Sequence, residues 1–150
     1  AALEDGRTSW MVAFCKGEVL KKIGLLNQAI SEVIAGMGHK DKLVIADAGL
    51  PIPPGVRRID LALTEGVPGF DETVEAVHRE LEIESIMVAE EMEEVSPQTY
   101  GALLALVGQV DVQAVPHEAF KALTEEATAV IRTGEFTPYA NVILVAGVVF

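Results

Sequence analysis

Residues 38–53 read Gly38-His39-Lys40-Asp41-Lys42-Leu43-Val44-Ile45-Ala46-Asp47-Ala48-Gly49-Leu50-Pro51-Ile52-Pro53. Gly38 ends a helical pattern, and the apolar run that follows is typical of a strand covered by helices on both faces. Asp47 closes this run, and a loop rich in glycine and proline comes after it. Ligands of α/β proteins collect outside the carboxyl ends of strands, so Asp47 is a candidate functional residue. His39 is another, because histidine ordinarily titrates near neutral pH.

Apolar periodicity on both sides of this stretch predicts strands that alternate with helices. The predicted helices are 27–38, one that opens near Asp71, 96–107 with Ser96 as its cap, and a short one from Pro116. The predicted strands are 43–47, 58–63, 83–89, 110–115, 128–132 and 141–149, and the acidic run 90–94 is interpreted as a solvated edge. We therefore expect a three-layer α/β fold with a central mixed sheet flanked by helices.

Composition restricts the class of protein. The chain has 150 residues, half of them hydrophobic, and a net charge of −12. That acidity argues against nucleic acid and anionic membranes as partners. Cys15 is the single cysteine, which excludes an intrachain disulfide and fits a reducing compartment. The apolar run 142–150 is far shorter than the about 20 residues that span a bilayer. We expect a cytoplasmic protein.

The first 20 residues differ from the rest and show no clear period. We expect 1–20 to be an extension outside the fold and 21–150 to form one domain. One hypothesis is that codons 16–19 are a ribosome-binding site and that Leu20 is a misread start codon. A cloning scar or a native arm would explain the segment equally well.

Two further pairs of polar residues have spacings that suggest a site. His117 and Lys121 are four apart and share one helix face. Tyr139 and Asn141 are two apart and, on entering a strand, would point to one side. Each candidate also has an ordinary interpretation as a solvated, capping or turn residue. Phosphate-loop, zinc-site and G-x-S-x-G nucleophile motifs are absent from the sequence.

Six stretches together carry a family resemblance. They are Gly-His-Lys-Asp at 38–41, Ala-Asp-Ala-Gly-Leu-Pro-Ile-Pro at 46–53, Arg-Ile-Asp-Leu-Ala-Leu at 58–63, Gly-Val-Pro at 66–68, His-Glu-Ala-Phe-Lys at 117–121 and Ala-Val-Ile-Arg-Thr-Gly-Glu-Phe-Thr-Pro-Tyr-Ala-Asn at 129–141. Over about Leu20 to Phe150 the chain resembles the D-ribose pyranase family of bacterial sugar mutarotases.

The resemblance implies that the protein interconverts the pyranose and furanose forms of D-ribose in the cytoplasm, without a cofactor or metal. It implies a ring-shaped homo-oligomer with sites between adjacent subunits. The family's catalytic histidine matches His39. Its sugar-binding residues match Asp47, His117, Lys121, Tyr139 and Asn141.

Sister fucose mutarotases are similar but carry a histidine and an aromatic residue where this chain has Gly49 and Leu50. That difference favours ribose. A mutarotase for another sugar such as L-fucose and a non-catalytic sugar-binding protein are the alternatives.

Spacing adds a geometric expectation. His39 and Asp47 flank one predicted strand, and eight extended residues span up to ~27 Å, which is far longer than a pentose. Either residues 40–42 fold back, or the two side chains serve a site from different subunits. We predict the second arrangement, partly because the resemblance implies sites at subunit boundaries.

Overall fold

A computed structural model describes residues 21–150, and the predicted extension 1–20 lies outside them. In chain order the elements are α1 (Gln28–Gly36), β1 (Lys42–Ala46), β2 (Arg57–Asp60), α2 (Phe70–His78), β3 (Ile83–Ala89), α3 (Glu90–Val95), α4 (Pro97–Val107), β4 (Asp111–Val115), α5 (His117–Leu123), a 3-10 turn (Thr124–Glu126), β5 (Ala129–Arg132) and β6 (Val142–Ala146). Among residues 21–150, no helix combines the length and the apolar character that crossing a bilayer requires.

The strands form one six-stranded sheet in the order β2-β5-β1-β6-β3-β4. β6 lies between β1 and β3 and runs antiparallel to both. The other neighbours pair in parallel. The predicted mixed sheet is confirmed.

Helices cover both faces of the sheet, as the predicted three layers require. In β1, Leu43 and Ile45 belong to the large core under α1, α2 and α4. Val44 and Ala46 face the other side, where Phe120 of α5 is fully buried. Residues on alternate positions of a strand point to opposite faces, so β1 must be apolar throughout.

The predicted second strand is too long at its carboxyl end. β2 stops at Asp60, and Leu63 is 80% exposed instead of alternating into the core. Asp60 Oδ1 accepts a hydrogen bond from the amide of Ala62, and the same carboxylate pairs with Arg132 of β5. The turn from Asp60 to Ala62 competes with the hydrogen bonds between β2 and β5, so the chain leaves the sheet after Asp60.

The acidic run 90–94 is a helix and not simply a solvated edge. It forms most of α3, in which Met92 is fully buried. The following Ser96 does not cap α4 with its side chain, because its hydroxyl donates to the carbonyl of Pro138 at 2.7 Å. The last predicted strand is also shorter than expected, since β6 ends at Ala146.

Leu144 and Leu63 provide a matched pair for testing this core. Leu144 lies in β6 and is fully buried, whereas Leu63 is exposed. We expect Leu144→Ala to lower the free energy of unfolding by about 2–5 kcal/mol, because it opens a cavity in the centre of the sheet. We expect Leu63→Ala to change it by less than about 0.5 kcal/mol. Urea unfolding at one protein concentration measures both, and equal losses would contradict the assignment of the core.

The Asp60 carboxyl gives a pH-dependent prediction. Partial burial opposes its ionisation, but the Ala62 amide and the Arg132 guanidinium outweigh that effect and hold the pKa of Asp60 below its usual value. The stability that the ionised Asp60 carboxyl contributes is therefore fully present above about pH 3.8, its ordinary pKa. That contribution is lost as the pH falls through the lower pKa of the folded state.

We expect Asp60→Asn to make the acid-induced fall in unfolding free energy shallower, by less than about 1 kcal/mol since the pair is partly solvated. The measurement is urea unfolding along a pH series. Asp111→Asn on the exposed strand β4 is the control and should keep the parent's slope. If unfolding free energy depended on pH equally in Asp60→Asn and in the parent, the Asp60–Arg132 ion pair would contribute nothing to the acid sensitivity of the fold.

Candidate functional site

The carboxyl end of β1 is fixed to the start of β6 through side chains. The Asp47 amide donates to Asn141 Oδ1 at 2.8 Å, and Asn141 Nδ2 donates back to Asp47 Oδ2 at 3.1 Å. Gly49 N donates to Asp47 Oδ1 at 2.9 Å. A carboxylate has about four lone-pair positions, so Asp47 is held in place yet can accept further hydrogen bonds.

The direction of β6 explains why two residues 94 positions apart meet. Ile45 lies opposite Val142 in the antiparallel ladder, so the residue after β1 and the residue before β6 are neighbours. Asn141 is 1% exposed, and both polar atoms of its amide engage Asp47. Asn141 therefore holds Asp47 in place.

His117 and Tyr139 lie beside this carboxylate. Their rings are nearly perpendicular, at 84°, with centroids 5.0 Å apart. His117 is the first residue of α5, and its amide donates to the Glu91 carboxylate at 3.0 Å. Within residues 21–150, the buried Nδ1 of His117 has no hydrogen-bond partner. Buried polar atoms without a partner are uncommon in folded proteins, so this nitrogen marks His117 as a candidate functional residue.

Tyr139 and Asn141 do not enter β6 as extended residues, so the expectation that strand geometry points both side chains to one side does not apply. The φ of Tyr139 is 62°, in the left-handed region, and its carbonyl accepts from the Asn141 amide at 2.8 Å. Residues 139–141 thus form a tight turn before β6. This turn places the Tyr139 ring against His117 and the Asn141 amide against Asp47.

An open cavity of about 320 Å³ brings three of the candidates together. It is lined by Asp47, Gly49, Leu50, Pro51, His117, Pro138 and Tyr139. Its lining therefore combines the residues of two neighbouring rings, His117 and Tyr139, with Asp47. This combination of ring faces and hydroxyl-binding groups suits a small polyhydroxylated molecule.

Lys121 lies one turn after His117 on α5 and does not line this cavity. Its ammonium pairs with Glu118 at 2.6 Å and thereby holds the pKa of the Glu118 carboxyl below its usual value. The sequence-based expectation that Lys121 shares a helix face with His117 is met. Its contact with a ligand stays a prediction.

His39 lies at the opposite end of β1 from Asp47. The Lys40 amide donates to the carbonyl of Ala146, the last residue of β6, and His39 Nε2 lies 2.7 Å from Glu84 Oε1. The five residues of β1, about 17 Å of strand, separate His39 from Asp47. A turn from Gly38 to Asp41 leads straight into β1, so the segment does not fold back toward Asp47.

Three supporting residues escaped the sequence analysis. Glu91 receives the amide of His117, Arg132 donates through Nε to the carbonyl of Ala48 at 3.0 Å, and Glu84 meets His39. Glu91 was hidden in an acidic run, and the Arg132 contact spans 84 positions. Glu84 and Arg132 did carry a signal, since each is a charged residue inside a predicted strand. In the part of the chain that the structure describes, no three histidine, cysteine or acidic side chains cluster as metal ligands would.

Residues 20–149 match the RbsD / FucU transport protein family. A D-ribose pyranase of Coprothermobacter proteolyticus is 53% identical over 131 residues, which are 87% of this chain and all of that protein. A D-ribose pyranase of Geobacillus kaustophilus is also 53% identical over 131 residues, covering 87% of this chain and 96% of its own.

Among solved structures, Bacillus subtilis RbsD complexed with D-ribose aligns with a TM-score of 0.85 and 46% identity over 87% of this chain and all of its own. A fucose mutarotase from Streptococcus pneumoniae, solved with L-fucose, aligns over 87% of this chain and all of its own with a TM-score of 0.75; at 23% identity it shares the fold. The chain belongs to the RbsD / FucU transport protein family.

Proposed function

We propose that this protein interconverts the pyranose and furanose forms of D-ribose and needs no cofactor. The observation that carries the proposal is the cavity lined by Asp47, His117 and Tyr139, in a fold that aligns at 46% identity with a relative solved with D-ribose. Relatives that are 53% identical over 87% of the chain are named D-ribose pyranase.

The reaction requires only proton transfers. In the pyranose, a base removes the proton from the anomeric hydroxyl, the bond between C1 and the ring oxygen breaks, and an acid protonates that oxygen. The open aldehyde then recloses through its C4 hydroxyl to give the furanose. Histidine is suited to both transfers near neutral pH, and His39 is the proposed acid and base.

The remaining residues bind and orient the sugar. Asp47 accepts hydrogen bonds from sugar hydroxyls with the lone pairs that Gly49 and Asn141 leave free. Tyr139 stacks on the sugar ring, and the imidazole of His117, which also lines the cavity, binds a hydroxyl. Lys121 exchanges Glu118 for an oxygen that gains negative charge as the ring opens.

We further propose a ring-shaped homo-oligomer in which His39 of one subunit completes the cavity of its neighbour. The separation of His39 from Asp47 along β1 supports this, because one subunit alone leaves the acid/base outside the cavity. Exposed apolar side chains that an assembly would cover also support it, above all Val149 at 82% and Phe150 at 100%.

The proposed location is the cytoplasm, and the proposed partners exclude nucleic acid and membranes. The net charge of −12 supports the exclusion of nucleic acid and anionic membranes. The single cysteine supports a reducing compartment such as the cytoplasm.

Gly49 and Leu50 favour ribose over fucose as the sugar. Both line the cavity directly after the Asp47 strand end, and Leu50 is 7% exposed. They stand where the sister mutarotases carry a histidine and an aromatic residue. We expect the cavities of the two groups to differ in shape at this point.

Ring-form exchange of D-ribose, measured by NMR saturation transfer between pyranose and furanose anomeric signals, tests the activity. We expect the parent protein to accelerate exchange and His39→Ala to reduce that acceleration about 100-fold or more. Ribose affinity, measured by calorimetry, should change little. His78→Ala on α2 removes a histidine away from the cavity and is the matched control.

The other outcomes separate the alternatives. Acceleration with L-fucose but not D-ribose would assign the protein to the sister activity. Ribose binding without acceleration of either sugar would make it a binding protein.

Mixing two inactive variants tests the shared site. We expect His39→Ala and Asp47→Asn each to be inactive alone. When they are unfolded together and reassembled in equal amounts, about one quarter of the sites should receive both native side chains, one from each subunit. Activity should rise accordingly. No recovery in verified mixed oligomers would place His39 and Asp47 of the same subunit in one site.

A further inference from the structure

β3 carries a bulge at Glu84, beside His39. Ile83 lies opposite Ala146 of β6, and Ser85 lies opposite the preceding Val145. Glu84 is therefore an extra residue in β3 without a partner on β6. Bulges re-aim side chains, and they recur next to active sites.

Glycine at 147 makes room for this bulge. A Cβ at that position would lie 3.1 Å from Glu84 Cβ, closer than side chains ordinarily pack, and 3.4 Å from Glu84 N. The Gly147 amide donates to the carbonyl of Glu82 at 2.9 Å, which keeps the end of β6 against the bulge. The local backbone thus directs the Glu84 side chain away from the ladder.

The bulge delivers the Glu84 carboxylate to the turn before β1. Its Oε1 is 2.7 Å from His39 Nε2, and its Oε2 pairs with the Lys40 ammonium. Lys40 has a φ of 79°, and its amide is bound to Ala146, so the turn is fixed from β6 as well. The charged groups of this turn are Lys40, Glu84 and Asp41, and the last of these is occupied by the Gly38 amide at 2.8 Å.

We propose that Glu84 is a positioning residue for His39: it fixes the orientation of the imidazole and keeps the proton on Nε2, so that Nδ1 is the nitrogen that exchanges protons with the sugar. The inference rests on the proposed function. An ionised carboxylate can only accept hydrogen bonds, so Nε2 must carry the hydrogen that joins them. A histidine nitrogen held in this way leaves the other one to do the chemistry.

The electrostatics of the turn agree with this assignment. The Lys40 ammonium, followed by the His39 ring, holds the pKa of the Glu84 carboxyl below its usual value. Glu84 is therefore a carboxylate throughout the neutral range and is a constant acceptor for Nε2.

Glu84→Gln tests the proposal because the amide has the same shape but can donate as well as accept. We expect kcat for ribose ring exchange to fall about tenfold, with KM changed less than about threefold, as for the loss of a partner that orients another residue. Glu84→Asp, which keeps the charge on a shorter side chain, should recover part of the loss. The control is Glu75→Gln. It removes an exposed carboxylate of α2 that pairs with Arg79, the residue after this helix.

A second measurement does not depend on turnover. The 15N chemical shifts of the His39 ring, recorded at alkaline pH where histidine is neutral, report which nitrogen is protonated. We expect the proton on Nε2 in the parent and in Glu75→Gln, and a shift toward mixed tautomers in Glu84→Gln.

Unchanged nitrogen shifts or unchanged kcat in Glu84→Gln would each overturn the positioning role. If the parent protein accelerated ring exchange of no sugar, the proposed function would be wrong. The 15N shifts of His39 would then still test whether Glu84 holds the proton on Nε2.

Discussion

The antiparallel insertion of β6 between β1 and β3 determines where the polar side chains of this protein can lie. Because β6 runs against its neighbours, its first residues meet the end of β1, and its last residues meet the start of β1 and of β3. Asn141 therefore reaches Asp47, while Ala146 and Gly147 contact the segments that carry His39 and Glu84. A parallel β6 would break both sets of contacts at once.

The two ends of β1 are built in different ways. At the Asp47 end, a buried amide, a tight turn and two rings surround an open cavity. At the His39 end, the side chains form an ion-pair cluster in which Lys40 is 68% and His39 48% exposed. Buried hydrogen-bonded groups give a fixed binding surface, and half-exposed ones are free to meet a second surface. This difference between the two ends agrees with the proposed arrangement, in which the cavity of one subunit receives His39 of another.

Much of the fold follows from local pattern. The four apolar residues 43–46 predicted a strand buried on both faces, and Ile83–Ala89 has the bounds that its pattern indicated. The errors have identifiable physical causes. Asp60 ended β2 early by binding the Ala62 amide and Arg132, and Ser96 gave its hydroxyl to Pro138 instead of capping α4.

The sequence supplied candidate residues for the site, but it gave no information on how they are arranged. Asp47 could be singled out because it ends a buried strand, and the resemblance supplied the remaining residues. The contacts of Asp47 with Asn141 and of His39 with Glu84 join residues 94 and 45 positions apart. Only the strand order creates such contacts, and neither the register of β6 nor the bulge in β3 leaves a local pattern.

The left-handed backbone of Tyr139 has a consequence for the history and engineering of this protein. A tyrosine at a φ of 62° costs roughly 1 kcal/mol that glycine would not, and asparagine tolerates that conformation better than tyrosine does. Selection for thermal stability alone would therefore favour glycine or asparagine at position 139, and the aromatic ring that lines the cavity would be lost. Persistence of an aromatic side chain there among descendants would mark selection for what the cavity does, at the expense of how firmly the chain folds.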